Sequence, residues 1–352
     1  MTSAGAAAAP AGDAPPQRLV AGVDIGGSKV LAVAMDEHRR VRARVRLRTT
    51  RGAEGVVQSA ARAVDALVHR LEARALATAL DVTDLEVVGI GVPGLVEPGT
   101  GRVSHAVNLG LGDEPIDLGG SLAARLGVHV VVENDVNVAA VGAARLLGLE
   151  DEDLAYLSIG TGLAAGLVTG GRLRRGARGA AGEIGHVPVD PAGPFCSCGQ
   201  RGCLETLASG SAIVAAWPVT DGVSAANALF DAADAGDQGA VAVRDRFAAH
   251  VAAAVRLLVL TCDVETVVLG GGVTDLGDRL LASVTSALQD AADTAPFLAA
   301  LDLPQRVRII PTGSDVAALG AAIVGASSSV GRAVSQSLGK STTSSEGVPW
   351  RS

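Results

Sequence analysis

Aromatic side chains are nearly missing from this sequence of 352 residues: they make up 2%, as four Phe, two Trp and one Tyr. Any core must therefore be built from Ala, Val, Leu and Ile. Apolar residues reach 48%, which excludes a largely disordered chain. No apolar run attains the roughly eighteen residues that a membrane span needs. The N-terminal M-T-S-A-G-A-A-A-A-P lacks the basic start and leucine-rich middle of a secretory signal. Positive charge is in deficit, with a formal net charge of −8, and this disfavours general affinity for nucleic acid or acidic membrane surfaces. Cysteine is scarce too. Three of the four lie between 196 and 203, leaving no remaining pair for a disulfide framework, so a reducing compartment, the cytoplasm, is expected.

The length suits two ordinary domains. Residues 1–17 are Ala/Pro/Gly-rich and read as an unstructured leader, and residues 326–352 read as a polar tail of the same kind. Between them strands and helices alternate. Strands are expected at 19–25 and 30–35 around Gly26-Gly27, and at 41–48, where Val41, Ala43, Val45 and Leu47 alternate with four arginines. Without interleaved aromatics those arginines read as the solvated face of a meander strand rather than a nucleic-acid patch. A long helix is expected over 54–80, then buried strands at 85–94 and 128–135. The pattern restarts with strands at 154–162 and 163–169, helices near 204–216 and 239–260, strands at 264–273 and 307–311, and a helix at 316–325. Two similar openings, strand then Gly-rich turn then strand, point to a duplicated α/β plan with a cleft between its halves.

His186, Cys196, Cys198 and Cys203 place one imidazole and three thiols within eighteen residues, the donor set of a closed tetrahedral zinc site. Glu183 and Glu205 flank this set without being needed by it, and are free to face a ligand. Four protein ligands leave no open position, so the expected metal is structural.

Asp24-Ile25-Gly26-Gly27-Ser28-Lys29 forms a turn whose backbone N–H groups can hold phosphate oxygens, with an acid placed to position Mg²⁺ through water. Ser158-Ile159-Gly160-Thr161-Gly162 is a second such turn, and Leu269-Gly270-Gly271-Gly272-Val273 a third. Three glycine turns at strand ends favour a nucleotide between two domains, although no Walker or Rossmann fingerprint is present. Glu133-Asn134-Asp135 closes a buried strand. In isolation it reads as a helix cap; downstream of a phosphate turn, Asp135 reads as a general base and Asn134 as a sugar-hydroxyl ligand.

Taken together, D-I-G-G-S-K, G-V-P-G, A-V-N-L, E-N-D-V-N, S-I-G-T-G, G-E-I-G-H, C-S-C-G-Q-R-G-C-L-E and L-G-G-G-V resemble the ROK family (repressor, open reading frame, kinase) over residues 18–325. The resemblance implies an actin-like ATPase (ribonuclease H-like) fold with two domains around a cleft. Residues 18–133, joined by the helix 316–325, would form the smaller domain, and 134–315 the larger one with the zinc site. It implies an ATP-dependent hexose kinase with Asp135 as base, and Asn108, Asn134, Glu183, His186 and Glu205 on the hexose. Asp24 belongs with the nucleotide and Mg²⁺, and Gly26, Gly27, Lys29, Thr161, Gly162, Gly271 and Gly272 would line the nucleotide site. His186 can serve both metal and sugar because its two ring nitrogens face different partners.

Glucose, phosphorylated at its 6-hydroxyl, is the expected acceptor; N-acetylglucosamine or N-acetylmannosamine is the alternative. A sugar-sensing repressor of the same family is the lesser expectation, since the 23 Ala/Pro-rich residues before Asp24 do not read as a helix-turn-helix. Relatives are commonly dimeric, so a homodimer or homotetramer is expected. Two departures from the family pattern stand out: Leu111 replaces a common tryptophan at a turn expected near the pocket wall, and Leu163-Ala164-Ala165-Gly166 replaces a more glycine-rich run. Cys262 reads as a small buried hydrophobe. His38, His69, His129 and His250 read as surface or packing residues, and His105 as one with a small chance of reaching the pocket.

Overall fold

A computed structural model describes residues 19–78, 85–97, 99–220 and 222–339. The leader 1–17 lies outside the described residues, as does the part of the expected tail beyond 339.

The first half opens with β1 (Leu19–Ile25), β2 (Lys29–Met35) and β3 (Val41–Arg48), a meander whose first and third strands have the expected limits and whose second begins one residue earlier. Then come α1 (Ala53–Thr78), β4 (Leu85–Val92), β5 (Leu95–Val96), β6 (Arg102–Ser104), β7 (Ile116–Asp117), α2 (Leu118–Leu126) and β8 (His129–Asn134). The sheet order is β3-β2-β1-β4-β8, with β4 parallel to both β1 and β8.

The helix α3 (Asp135–Leu147) leads into the second half. There β9 (Leu154–Ile159), β10 (Leu163–Thr169) and β11 (Arg172–Leu173) repeat the meander. They are followed by α4 (Gly210–Ala216), α5 (Ala225–Asp234), α6 (Gln238–Cys262), β12 (Thr266–Gly270), α7 (Asp278–Thr294), α8 (Pro296–Ala299), β13 (Val307–Ile309) and α9 (Val316–Gly339). The second sheet runs β11-β10-β9-β12-β13 with the same pattern of parallel and antiparallel neighbours. Asp24 and Ser158 therefore occupy equivalent positions, each the penultimate residue of the first strand in its half.

Several expected limits move, each for a local reason. The stretch 204–216 is not one helix: a single turn at Leu204–Thr206 stops, and Ser209 starts α4 by accepting the Ala212 N–H at 3.2 Å. The strand expected to 273 ends at Gly270, because Gly271 turns left-handed at φ +87°. The last helix continues well past 325, to Gly339. The helices α2 and α5, capped by Asp117 and Ser224, and α7, which starts after Gly277 without a side-chain cap, have apolar faces that give no clear signal among alanine-rich flanks.

Each half has its own aliphatic core. Val23, Ile25 and Ile90 pack with Val64 and Leu67 in the first, and Leu157, Leu269, Val255 and Leu288 pack together in the second. Two helices then cross between the halves. The first-half strand β8 feeds α3, which packs on β9 and β10, whereas β13 of the second half feeds α9, which packs on β1 and β4. The two helices meet at Gly142 and Gly320, where a Cβ on either would overlap a backbone carbonyl of the other helix.

Candidate functional site

Asp24, Lys29, Asp135, Tyr156, Gly271 and Gly272 line one cavity of about 540 Å³ between the two sheets. The sequence expected all of these except Tyr156 to act together, and the fold brings them to one place from five elements.

Asp135 is the first residue of α3. Its carboxylate Oδ1 accepts the Val136 N–H at 2.9 Å, and burial lifts its pKa to about 6, with Glu183's negative charge adding to the rise. Asp24, at the end of β1, is raised further, to about 7, by burial and then by the nearby Asp135 charge, with Lys29 pulling the other way. Two half-buried carboxylates, the charge of one raising the other, thus stand beside a lysine in the cleft, a concentration of perturbed groups typical of functional sites. Tyr156 lies on β9 two residues before Ser158, so both face the cleft. Burial pushes its phenol up to about 12, and the Gly271 N–H is directed at its hydroxyl. As the sequence's single tyrosine, on a strand leading into a glycine turn, it was open to being noticed.

Asn134 does what the plain reading required. Its Oδ1 accepts the Val136 and Asn137 N–H groups at 2.9 and 3.1 Å, while its Nδ2 donates to the Gly94 carbonyl at 3.1 Å. One amide N–H remains for a ligand. Glu133 is buried and bound three ways, by Asn137 Nδ2 at 2.9 Å, the Asn134 N–H at 3.0 Å and Arg175 Nε at 2.5 Å. Asn108 stands against the first glycine turn: a Cβ on Gly27 would lie 3.2 Å from the Asn108 Cβ. Leu111, at the first of the two departures from the family pattern, is buried and packs in the first core. His105 turns outward, 3.3 Å from Asp113, and Cys262 is half-buried at the end of α6.

The second glycine turn rests on α4. Its Gly160 carbonyl accepts the Gly210 N–H at 2.7 Å, and Glu205 Oε2 accepts the Leu163 N–H at 3.1 Å while lying over Gly162. Glu205 therefore links the cysteine-rich segment to the second glycine turn, a connection the sequence did not reveal. At the third turn the glycines differ. A Cβ on Gly271 would lie 2.6 Å from the Ile159 carbonyl carbon and oxygen, at positive φ, whereas Gly272 faces open space. Gly271→Ala should lower unfolding stability by at least about 2 kcal/mol and Gly272→Ala by less than about 1. Equal denaturation midpoints for the two variants would refute the distinction.

His186, Cys196, Cys198 and Cys203 bring their ligand atoms within 4.8 Å of one another. Cys198 Sγ and Cys203 Sγ stand 3.7 Å apart, and Cys196 Sγ and His186 Nδ1 3.6 Å apart. Tetrahedral zinc with its usual bond lengths gives edges of about 3.8 Å for S–S and about 3.6 Å for S–N. The donor set and its spacing fit zinc. Nδ1 is the ring nitrogen turned to the thiols, and Nε2 lies 4.0 Å from Glu183 Oε2, on the other side of the ring. The Gln200 carboxamide donates to Cys198 Sγ at 3.4 Å and is the first cause of that thiol's descent to about 6.

The arginines of β3 are not merely solvated. Arg44 Nε binds Asp315 Oδ2 at 2.7 Å, and Arg46 lines the cleft 4.0 Å from the same carboxylate, fastening the meander to the start of α9. Alternation identified the wet face of the strand but not what lies across it. Among the described residues, no helix is long and apolar enough to cross a membrane.

Comparison with known proteins gives a consistent answer. The ROK family model matches residues 20–326. A glucokinase of Halalkalibacterium halodurans is 33% identical over 325 residues, covering 86% of this chain and 93% of the relative. An N-acetylmannosamine kinase of Citrobacter koseri is 34% identical over 262 residues, covering 74% and 86%. Among solved structures, a ROK family glucokinase from Streptomyces griseus in complex with glucose and AMPPNP superposes with a TM-score of 0.71 at 30% identity, covering 88% of this chain and 99% of that one.

Proposed function

The chain belongs to the ROK family as a sugar kinase with the actin-like ATPase fold, and from that premise we propose that it transfers the γ-phosphoryl group of ATP to the 6-hydroxyl of glucose. The observation that carries this reading is the shared cavity, in which the Asp24 turn of the first half meets Asp135 at the start of α3 and Gly271 and Gly272 of the second half.

In the proposed reaction Asn108, Asn134, Glu183, His186 and Glu205 hold the hexose by its hydroxyls. Asp135 accepts the proton of the 6-hydroxyl as that oxygen attacks the γ-phosphorus in line with the departing ADP oxygen. The backbone amides of Gly26, Gly27, Thr161 and Gly162, with Lys29, offset charge developing on the phosphoryl oxygens. Gly271 and Gly272 give the nucleoside a bare backbone to rest on. Asp24 is the group to hold Mg²⁺ through water, and that ion when bound would neutralise β- and γ-phosphate charge. Zinc held by His186, Cys196, Cys198 and Cys203 would be structural. Its role is to fix the His186 ring so that Nε2 points at substrate.

The second reading, an N-acetylmannosamine or N-acetylglucosamine kinase, is favoured by the 34%-identical N-acetylmannosamine kinase relative. Amide-sized differences in a pocket amount to about 1–3 kcal/mol, so the sugars must be compared directly. A coupled ADP-release assay across glucose, N-acetylglucosamine, N-acetylmannosamine, mannose, fructose and allose should give glucose the highest kcat/KM, by about tenfold or more. A higher value for either N-acetyl sugar would replace the proposal with the second reading.

A further inference from the structure

On the far side of the crossing helices lies a second cavity, of about 690 Å³, which shares no lining residue with the cleft. Four arginines, Arg39, Arg145, Arg172 and Arg175, line it together with a single carboxylate, Glu150. Arg145 is paired with Glu150 at 3.1 Å and Arg175 with Glu133 at 2.5 Å. Neither Arg39 nor Arg172 has an ion-pair partner among the described residues. The remaining wall is mostly aliphatic, with Ser327 and Ser328 beside it, and comes from both halves: Val131 on β8, Val168 and Leu173 on β10 and β11, and Ile323 on α9. Such a chamber selects a small anion carrying some apolar or carbon surface. Guanidinium forks suit a phosphate dianion best.

We propose that this arginine-lined chamber is a regulatory site for a small organic phosphomonoester, read out at the active site through Arg175–Glu133 and the crossing helices. The coupling follows from the placement. Glu133 immediately precedes Asn134 and Asp135, and it is fixed by Arg175, whose guanidinium also borders the chamber. A phosphate that engages Arg175 competes with Glu133 and loosens the segment holding Asp135. The chamber and the cleft also lie at opposite ends of α3 and α9: Val136, Ala139, Val316 and Ala317 border the cleft, while Val141, Arg145, Ile323 and Val324 border the chamber. Because its walls come from both halves, its shape depends on their relative orientation, and a ligand there binds open and closed arrangements unequally. Differential affinity of that kind is what regulation requires.

Binding is read first and without catalysis. The full chain, held at saturating glucose and AMPPNP, is titrated calorimetrically with 3-phosphoglycerate, inorganic phosphate and, as the phosphate-free control, glycerate. Saturable binding of 3-phosphoglycerate, weakened about tenfold or more in both Arg39→Glu and Arg172→Glu, is the expected result. Tighter binding of the organic phosphate than of inorganic phosphate identifies the carbon-bearing ligand, and the reverse order overturns that part. No saturable binding, or binding unchanged in both variants, overturns the site. The second arm rests on the kinase reading: 3-phosphoglycerate should shift the sugar KM at least about twofold in the native chain and not in Arg172→Glu, whose basal kcat stays native. Binding without that shift overturns the regulation. If no sugar were phosphorylated the kinase reading would fail, while the calorimetric result would stand by itself.

Discussion

Asp135→Asn should lower kcat by roughly 10²–10⁴-fold, the usual cost of losing a general base, while sugar affinity changes only a few-fold. The carboxylate must be ionised to accept a proton, and burial has lifted its pKa to about 6. The native rate should therefore fall on the acid side of about pH 6, and that limb should be missing from the residual activity of the variant. Stability should move the opposite way. A carboxylate whose pKa is raised by folding favours the folded state below its unfolded value of 3.8, and that contribution is lost as pH rises through about 6. Asp24 behaves alike, up to about 7, and part of its rise comes from the Asp135 charge. Above pH 7 both charges weigh against folding. Asparagine removes one and relieves the other, a gain on the order of 2–3 kcal/mol from the size of the shift. Melting curves of the ligand-free protein at pH 5 and pH 8 should show the variant ahead at pH 8 and the difference shrinking at pH 5. A kcat within tenfold of native would remove Asp135 from the role of base.

The meander β1–β3 was legible to within one residue because two apolar runs flank Gly26-Gly27 and the third strand alternates strictly. The duplication was legible because the same turn chemistry recurs at Ser158. Local signals stop where one segment's meaning depends on another that is distant in sequence. Arg44 and Arg46 alternate as a solvated face would, yet Asp315 lies across from them, 271 residues beyond Arg44. Glu205 was assigned to the sugar, but nothing in C-L-E-T shows that its carboxylate also accepts the Leu163 N–H. Asn134 carried two competing readings, cap and ligand, and its side chain performs the first without excluding the second. The helix crossing at Gly142 and Gly320 is invisible for a related reason: in an alanine-rich helix one more small residue carries no signal until the partner helix is in place.

Removal of zinc, by chelation or by Cys198→Ser, should damage stability and binding together, and the structure sharpens which binding. Cys203 is buried, and the backbone on either side of it is tied to the His186 segment: Pro188 bridges Cys203, the Leu204 N–H donates to the Val187 carbonyl at 3.0 Å, and Gln200 Nε2 donates to the His186 carbonyl at 3.0 Å. The cluster thus clasps two loops that carry Glu183 and His186 on one side and Glu205 on the other. Opening it frees the imidazole, and the sugar KM should rise about tenfold, the lower range for loss of a metal site's ordering partners. It also frees Glu205 from its position over Gly162, so the ATP KM should rise too, by a smaller factor. Loss of a structural metal ligand costs on the order of 2–4 kcal/mol, several degrees of melting temperature for a chain of this size. Cys262→Ser, outside the cluster, provides the control and should match the native protein in all three measurements. If the metal-free protein kept its melting temperature and its sugar KM, the cluster would have no part in shaping the pocket. A sugar KM that rose while the ATP KM stayed fixed would confine its influence to His186 and sever the proposed link through Glu205.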